Sequence, residues 1–346
     1  MSLRPDILVL GSGGALGEAW LTGVLAGLED GAGFDLRDCE YFVGTSAGAL
    51  VAARLASGHR PRRPTVDSVG LESGTADADA GGGARIESSA RESPQPSVAR
   101  TALALAERTV VTFAEQAGTV ATWGATMALN AGAPLMPAGL SLAAPGGALA
   151  RAAALRALPR PAGEFSQLRD ELTGLSARFD GRLRVVAVAR ASGRRTVFGQ
   201  PRSPRPNPVD AIAASCAVPW LVAPVEIAGV EYVDGGIWSP TNLDVAPAKR
   251  DTEVLCLSPT AGQSGPGRVD SGALSPVGRR LSRSVTSLEA AALRGRRATV
   301  HVIAPDDESA SAIGADLMDS ARSELALRSG YRQGLRLSGS ASPTER

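Results

Sequence analysis

The order of apolar positions along the chain sketches alternating strands and helices. Ile7-Leu8-Val9-Leu10 is a continuous apolar run stopped by glycines, the pattern of a strand buried on both faces of a parallel sheet. From Ala15 to Leu28, the residues Leu16, Trp20, Val24, Leu25 and Leu28 fall at helical spacing, and Tyr41-Phe42-Val43 reads as the next strand. The chain thus begins as a βαβ unit. Gly44-Thr45-Ser46-Ala47-Gly48 follows at once and leads into residues 49–56, which are rich in good helix formers.

The core-like pattern then breaks off. Between about Ser57 and Val98 the chain turns to Gly, Ser, Pro, Asp and Arg around Gly81-Gly82-Gly83, with too few large apolar side chains to offset the entropy of ordering. Residues 59–97 are therefore expected to form a disordered linker. Residues 98–165 are expected to form an apolar, helical, cap-like insertion. Residues 117–150 carry no charge, but Pro134, Pro137 and Pro145 interrupt any single long helix, so a cap over an apolar pocket is favoured over a membrane span.

Strand patterning returns at Leu183–Ala189, which is expected to pair with Thr196-Val197-Phe198 across Ser192-Gly193-Arg194. A helix is predicted from Val209 to Val218, opened by Pro208 and stopped by Pro219. Tyr232-Val233, residues 254–257 and residues 300–303 are further strand candidates, and a last helix is placed around Ile313 to Leu327. The expected organisation is one α/β domain made of residues 1–58 and 166–337, with a flexible tail at 338–346.

Composition narrows the function classes. The chain's 346 residues, 44% of them apolar, are enough for a sizeable core. A net charge of +1 argues against nucleic acid as a partner, because a broad basic surface is what drives that binding. Cys39, Cys216 and Cys256 are odd in number and widely spaced, so neither a disulfide framework nor a CxxC site is indicated. Carboxylates near the motifs are scattered, and no metal or other cofactor is expected. Residues 1–6 lack the basic region and long apolar stretch of a signal peptide, which makes the cytoplasm the expected location. From Val277 to Arg297, six arginines (Arg279, Arg280, Arg283, Arg294, Arg296, Arg297) accompany Leu281, Val285, Leu288 and Leu293. A solvated surface helix is the favoured reading; a basic amphipathic helix touching the inner face of a membrane is the alternative.

Three glycine-rich motifs carry the candidate chemistry. Gly11-Ser12-Gly13-Gly14-Ala15-Leu16-Gly17 lies between the first strand and its helix, where free N–H groups form an anion site for a cofactor pyrophosphate or for a tetrahedral oxyanion. The tight GxGxxG dinucleotide form fails at Leu16, and no Tyr-x-x-x-Lys pair exists, since Lys249 is the only lysine; an NAD(P)-binding oxidoreductase of Rossmann type remains an alternative. Gly44-Thr45-Ser46-Ala47-Gly48 has the GxSxG form of a nucleophile elbow, set between a strand and a helix as that turn requires. Asp234-Gly235-Gly236 reads either as an ordinary Asp-Gly turn or as a carboxylate brought close to another backbone. Of the two histidines, His59 reads as solvated; His301 follows Ser46 and Asp234 in the Ser, Asp, His order of α/β-hydrolases, but only one strand–helix unit precedes the elbow, so an edge or satisfied strand residue is favoured over a catalytic base.

Taken together, the three motifs resemble the patatin-like phospholipase family, as do the flanking segments Ala214-Ser215-Cys216-Ala217-Val218-Pro219 and Ser239-Pro240-Thr241-Asn242. The resemblance implies a three-layer fold with a central, mostly parallel sheet flanked by helices. It makes Ser46 the nucleophile and Asp234 its base, a dyad without histidine. Backbone N–H groups of Gly11, Gly13, Gly14 and Ala15 would form the oxyanion hole, with Gly44, Gly48, Gly235 and Gly236 supporting the turns. The implied activity is hydrolysis of carboxylic esters of lipids, with a lipid or ester substrate and transient membrane contact; a non-catalytic lipid-binding protein is the other alternative. One position departs from the pattern. Leu16 stands where many members carry Arg or Lys, which shifts the expectation from phospholipids towards neutral esters; Arg4, Arg37 and Arg54 are the candidates to compensate.

Overall fold

Side chains alternate across each strand, so a strand with no polar position must be covered on both faces. β1 (Ile7–Leu10) shows this directly in the computed structural model, which describes residues 4–65, 147–158, 161, 166–262, 276–314 and 316–339. Leu8 and Leu10 join a cluster built with α1 (Gly14–Ala32) and α2 (Ala47–Ala56), while Ile7 and Val9 join one containing Ala290 and Leu293 of a later helix. The result is a helix–sheet–helix sandwich.

The remaining strands are β2 (Tyr41–Thr45), β3 (Leu183–Ala189), β4 (Arg194–Phe198), β5 (Val225–Ile227), β6 (Val230–Asp234), β7 (Glu253–Leu257) and β8 (Thr299–Ile303). Their order is β5-β6-β3-β2-β1-β7-β8, with β4 paired to β3. β3-β2-β1-β7-β8 run parallel, and β4, β5 and β6 add antiparallel pairings. β2 and β7 flank β1 on opposite sides, so the direction of strand addition reverses there. In open parallel sheets the crevice at such a reversal, beyond the carboxyl ends of the strands, is where ligands bind.

The other helices are α3 (Ala148–Ala157), α4 (Ser166–Gly174), α5 (Pro208–Ser215), α6 (Pro276–Gly295), α7 (Asp307–Ile313) and α8 (Ser323–Gly339). The expected linker beyond residue 65, and the expected insertion up to residue 146, lie outside the described residues; α3 falls within the stretch expected to form the insertion. Residues 60–63 lie along the fold through Arg63 to Glu29 (2.9 Å) and Arg60 to Asp35 (3.0 Å).

One sequence expectation needs correction. The single helix placed around Ile313 to Leu327 is two helices: α7 stops at Gly314, whose φ of 79° ends the turn, and α8 begins at Ser323 and continues to Gly339. The amphipathic α6 turns Val285, Ala290 and Leu293 inwards, and even Arg279 is buried, so its apolar stripe belongs to the core; Leu288 alone of the apolar residues cited above is strongly exposed. No helix among the described residues is long and apolar enough to cross a membrane.

Candidate active site

β3 brings the second and third motifs together. β4 occupies one edge of β3, and both β2 and β6 lie on the other. β2 runs parallel to β3 and ends with Thr45 opposite Val186, whereas β6 runs antiparallel and ends with Asp234 opposite Ala187. The two strands therefore approach head-on and stop against each other. Ser46, the first residue past β2, and Asp234, the last residue of β6, meet at that junction.

Ser46 has φ 54° and ψ −123°, a conformation costing an L-residue on the order of 1–3 kcal/mol, so its surroundings must hold it. Its N–H donates to Ser215 Oγ (2.9 Å), and Ser215 Oγ–H donates to the Val186 carbonyl (2.6 Å). Its own carbonyl accepts from Ala49 N–H at 2.8 Å, which starts α2. Gly48 lies against the Leu10 carbonyl so closely that any β-carbon would overlap it, which ties the elbow to the end of β1. Gly44 lies against the Ala49 backbone, and Gly235 against the Val186 carbonyl. Ser215 lay within a family-like segment of the sequence but had no role assigned to it, because its partners come from two other strands. Ser215→Ala is expected to leave the Ser46 N–H buried and unpaired, lowering stability by about 1–3 kcal/mol in denaturant unfolding.

Asp234 is 4% exposed. Burial pushes its carboxyl up to about 6, against the opposing effect of a hydrogen bond from the Ser46 hydroxyl and another from Gly236 N–H at 2.7 Å. The carboxylate is thus more basic than usual and aligned with the serine hydroxyl.

The first motif lies beside the Asp234 turn. The Gly11 N–H, expected among the oxyanion donors, is instead taken by the Leu257 carbonyl (2.9 Å), and Ser12 N–H by the Pro240 carbonyl (2.8 Å). Gly11 is therefore corrected to an anchor of the loop on β7. The N–H groups of Gly13, Gly14 and Ala15 enter no hydrogen bond among the described residues and lie at the amino end of α1, which carries a partial positive charge. Ser12 Oγ stands 3.4 Å from the β-carbon position of Gly236, so this loop faces the Asp234 turn. Leu317 and Met318 pack over Gly14, and Leu317 accepts a hydrogen bond from Leu16 N–H at 3.0 Å.

Each of the three candidate arginines is engaged in an ion pair. Leu16 is fully buried in the core, Arg4 pairs with Asp38 (3.5 Å), Arg37 with Asp35 (2.5 Å) and Arg54 with Glu18 (2.6 Å). His301 sits on β8, the edge strand, 3.3 Å from Glu253 at the opposite end of β7 from the site, and His59 is exposed. Among the described residues no group of three His, Cys, Asp or Glu side chains could hold a metal ion.

A family model described as patatin-like phospholipase matches residues 8–247, which include all three motifs. No curated protein matches the chain. Among solved structures, VipD from Legionella pneumophila is similar at 16% identity, with 97% of this chain and 67% of that chain covered and a TM-score of 0.43.

Proposed function

Because the chain belongs to the patatin-like phospholipase family, a family of lipid acyl hydrolases, we propose that it hydrolyses carboxylic esters of lipids through a Ser46–Asp234 dyad and an acyl-enzyme. The observation that carries this reading is the abutment of β2 and β6 on one edge of β3, which sets the Ser46 hydroxyl against a buried carboxylate.

Ser46 Oγ attacks the ester carbonyl carbon as its proton passes to Asp234. The resulting oxyanion is held by the N–H groups of Gly13, Gly14 and Ala15, donors fixed before the reaction begins. Collapse expels the alcohol oxygen, which takes the proton from Asp234, and leaves the acyl group on Ser46. Water then attacks the acyl carbonyl with Asp234 as base; the second collapse returns the proton to Ser46 and releases the acid. Leu16 and the paired state of Arg4, Arg37 and Arg54 favour a neutral acyl ester over a phospholipid. A lipid substrate also implies contact with a membrane or micelle surface.

The test is release of p-nitrophenol from short-chain esters by wild type and Ser46→Ala. Loss of about 10³-fold or more in kcat, with the circular dichroism spectrum unchanged, is expected. Wild-type turnover by a folded Ser46→Ala variant sinks the mechanism.

A further inference from the structure

The two halves of the dyad sit on separate strands that only meet end to end, so something must fix the gap between them. We infer that Asn242 is the positioning residue of the dyad, its side-chain amide joining the residue before Ser46 to the residue after Asp234. This inference rests on the dyad proposed above.

Asn242 is fully buried. Its Nδ2 shares two hydrogens among three acceptors, Thr45 Oγ1 (3.1 Å), the Gly235 carbonyl (3.2 Å) and the Ser239 carbonyl (2.8 Å). Thr45 is the last residue of β2, and Gly235 follows the last residue of β6. The one amide therefore spans the junction at which the nucleophile and its base come together. Its orientation is settled by chemistry: Oδ1 accepts from Arg195 Nη1 at 3.1 Å, and a guanidinium can only donate, so the NH2 end must face the two carbonyls.

The bridge is itself held firmly on three sides. Asp244 grips Arg195 with both oxygens at 2.6 Å, and Arg195 lies over the Trp238 ring, 5.0 Å from its centre. Glu289 on α6 clamps the residues on either side of Asn242, accepting from Thr241 Oγ1 (2.8 Å) and Leu243 N–H (2.9 Å). The Asn242 backbone has φ 50°, and its N–H donates to Ser239 Oγ at 3.0 Å. A residue needed only to fill space would require neither this donor pattern nor a left-handed backbone.

The experiment measures kcat and KM on a p-nitrophenyl ester for wild type, Ser46→Ala, Asn242→Gly, Thr45→Val and the Thr45→Val/Asn242→Gly double variant. Asn242→Asp is added as a shape-preserving change that puts an acceptor against the two carbonyls. Glycine tolerates the left-handed backbone and removes the amide, and valine removes the Thr45 hydroxyl, which accepts from that amide and, among the described residues, makes only one other, long contact, to the Thr241 carbonyl at 3.5 Å. Asn242→Gly and Asn242→Asp are expected to lower kcat about 10–100-fold with KM within about twofold, as misplacement of reacting groups does. The double variant should be no slower than Asn242→Gly alone, because both changes act through one contact. Wild-type kcat in a folded Asn242→Gly protein, a loss confined to KM, or multiplication of the two single effects overturns the positioning role while leaving Ser46 in place. Turnover that survives Ser46→Ala overturns the dyad, and with it the reason for the bridge.

Discussion

Asp234→Asn is expected to abolish ester hydrolysis and, at the same time, to make the protein more stable above pH 6. The catalytic half follows from the role of the carboxylate. Asparagine still accepts from Gly236 N–H, but it cannot take the serine proton, and loss of a general base serving both steps costs about 10³-fold or more in kcat. The stability half follows from burial. Asp234 has a folded-state pKa of about 6 against an ordinary value of 3.8, so the native state prefers the protonated form and ionisation weakens the fold.

The sign of the pH dependence is fixed by that inequality. Well below pH 3.8 the carboxyl is protonated in both folded and unfolded chains and costs nothing. As pH rises from 3.8 to about 6 the unfolded chain loses its proton first, and stability falls. Above pH 6 the penalty is complete, on the order of 2–3 kcal/mol. Asp234→Asn should therefore raise Tm by several degrees at pH 8 and leave it nearly unchanged at pH 4, which scanning fluorimetry at the two values resolves. The wild-type rate should fall as pH drops through about 6, as the base becomes protonated. A variant that is destabilised at pH 8, or that keeps its activity, contradicts the account. Such opposition of stability and activity is the mark of a group kept in an unfavourable place for its chemistry.

What sequence revealed of this arrangement was what local pattern encodes. A strand, a tight turn and a helix around Ser46 are adjacent in the chain, so apolar runs and glycines were sufficient to locate the elbow. The hairpin of β3 and β4 was legible for the same reason, and so was the parallel character of β1. The contact of Ser46 with Asp234 was reachable only through family resemblance, because it depends on two strands sharing one edge of β3, which no spacing in the chain expresses. Ser215 and Asn242 stood in family-like segments without a legible role on the same ground: each matters through partners on other strands. The resemblance placed Gly11 among the oxyanion donors, whereas its N–H is taken by β7, which lies far away in sequence. The boundary between α7 and α8 was missed because apolar spacing passes over Gly314, whose φ of 79° ends the turn.

Helix α8 carries the second large effect, because its packing against α1 depends on glycines. Gly23 and Gly27 on α1 face Leu327 and Tyr331 backbone atoms on α8, and Gly330 and Gly334 return the contact against Trp20 and Val24. Spacing of four places each pair on one helix face, so the two backbones approach closely. Gly27→Ala would put a β-carbon inside the radius of the Tyr331 carbonyl oxygen and 2.9 Å from Leu335 N. Neither atom can rotate away, so the helices must separate. Overpacking of this kind costs about 1–3 kcal/mol and more where backbone is the obstacle, well beyond the roughly 1 kcal/mol that alanine gains over glycine in helix propensity. Gly31→Ala is the control. Its new methyl meets Ser338, whose hydroxyl can turn aside and whose β-carbon, 2.8 Å away, must give slightly, so a small packing cost offsets the propensity gain. The expected result is a Tm lower by roughly 5–10 °C for Gly27→Ala and nearly unchanged for Gly31→Ala. Equal shifts in the two variants would mean that helix propensity, and not the approach of the two backbones, sets the requirement for glycine on this face.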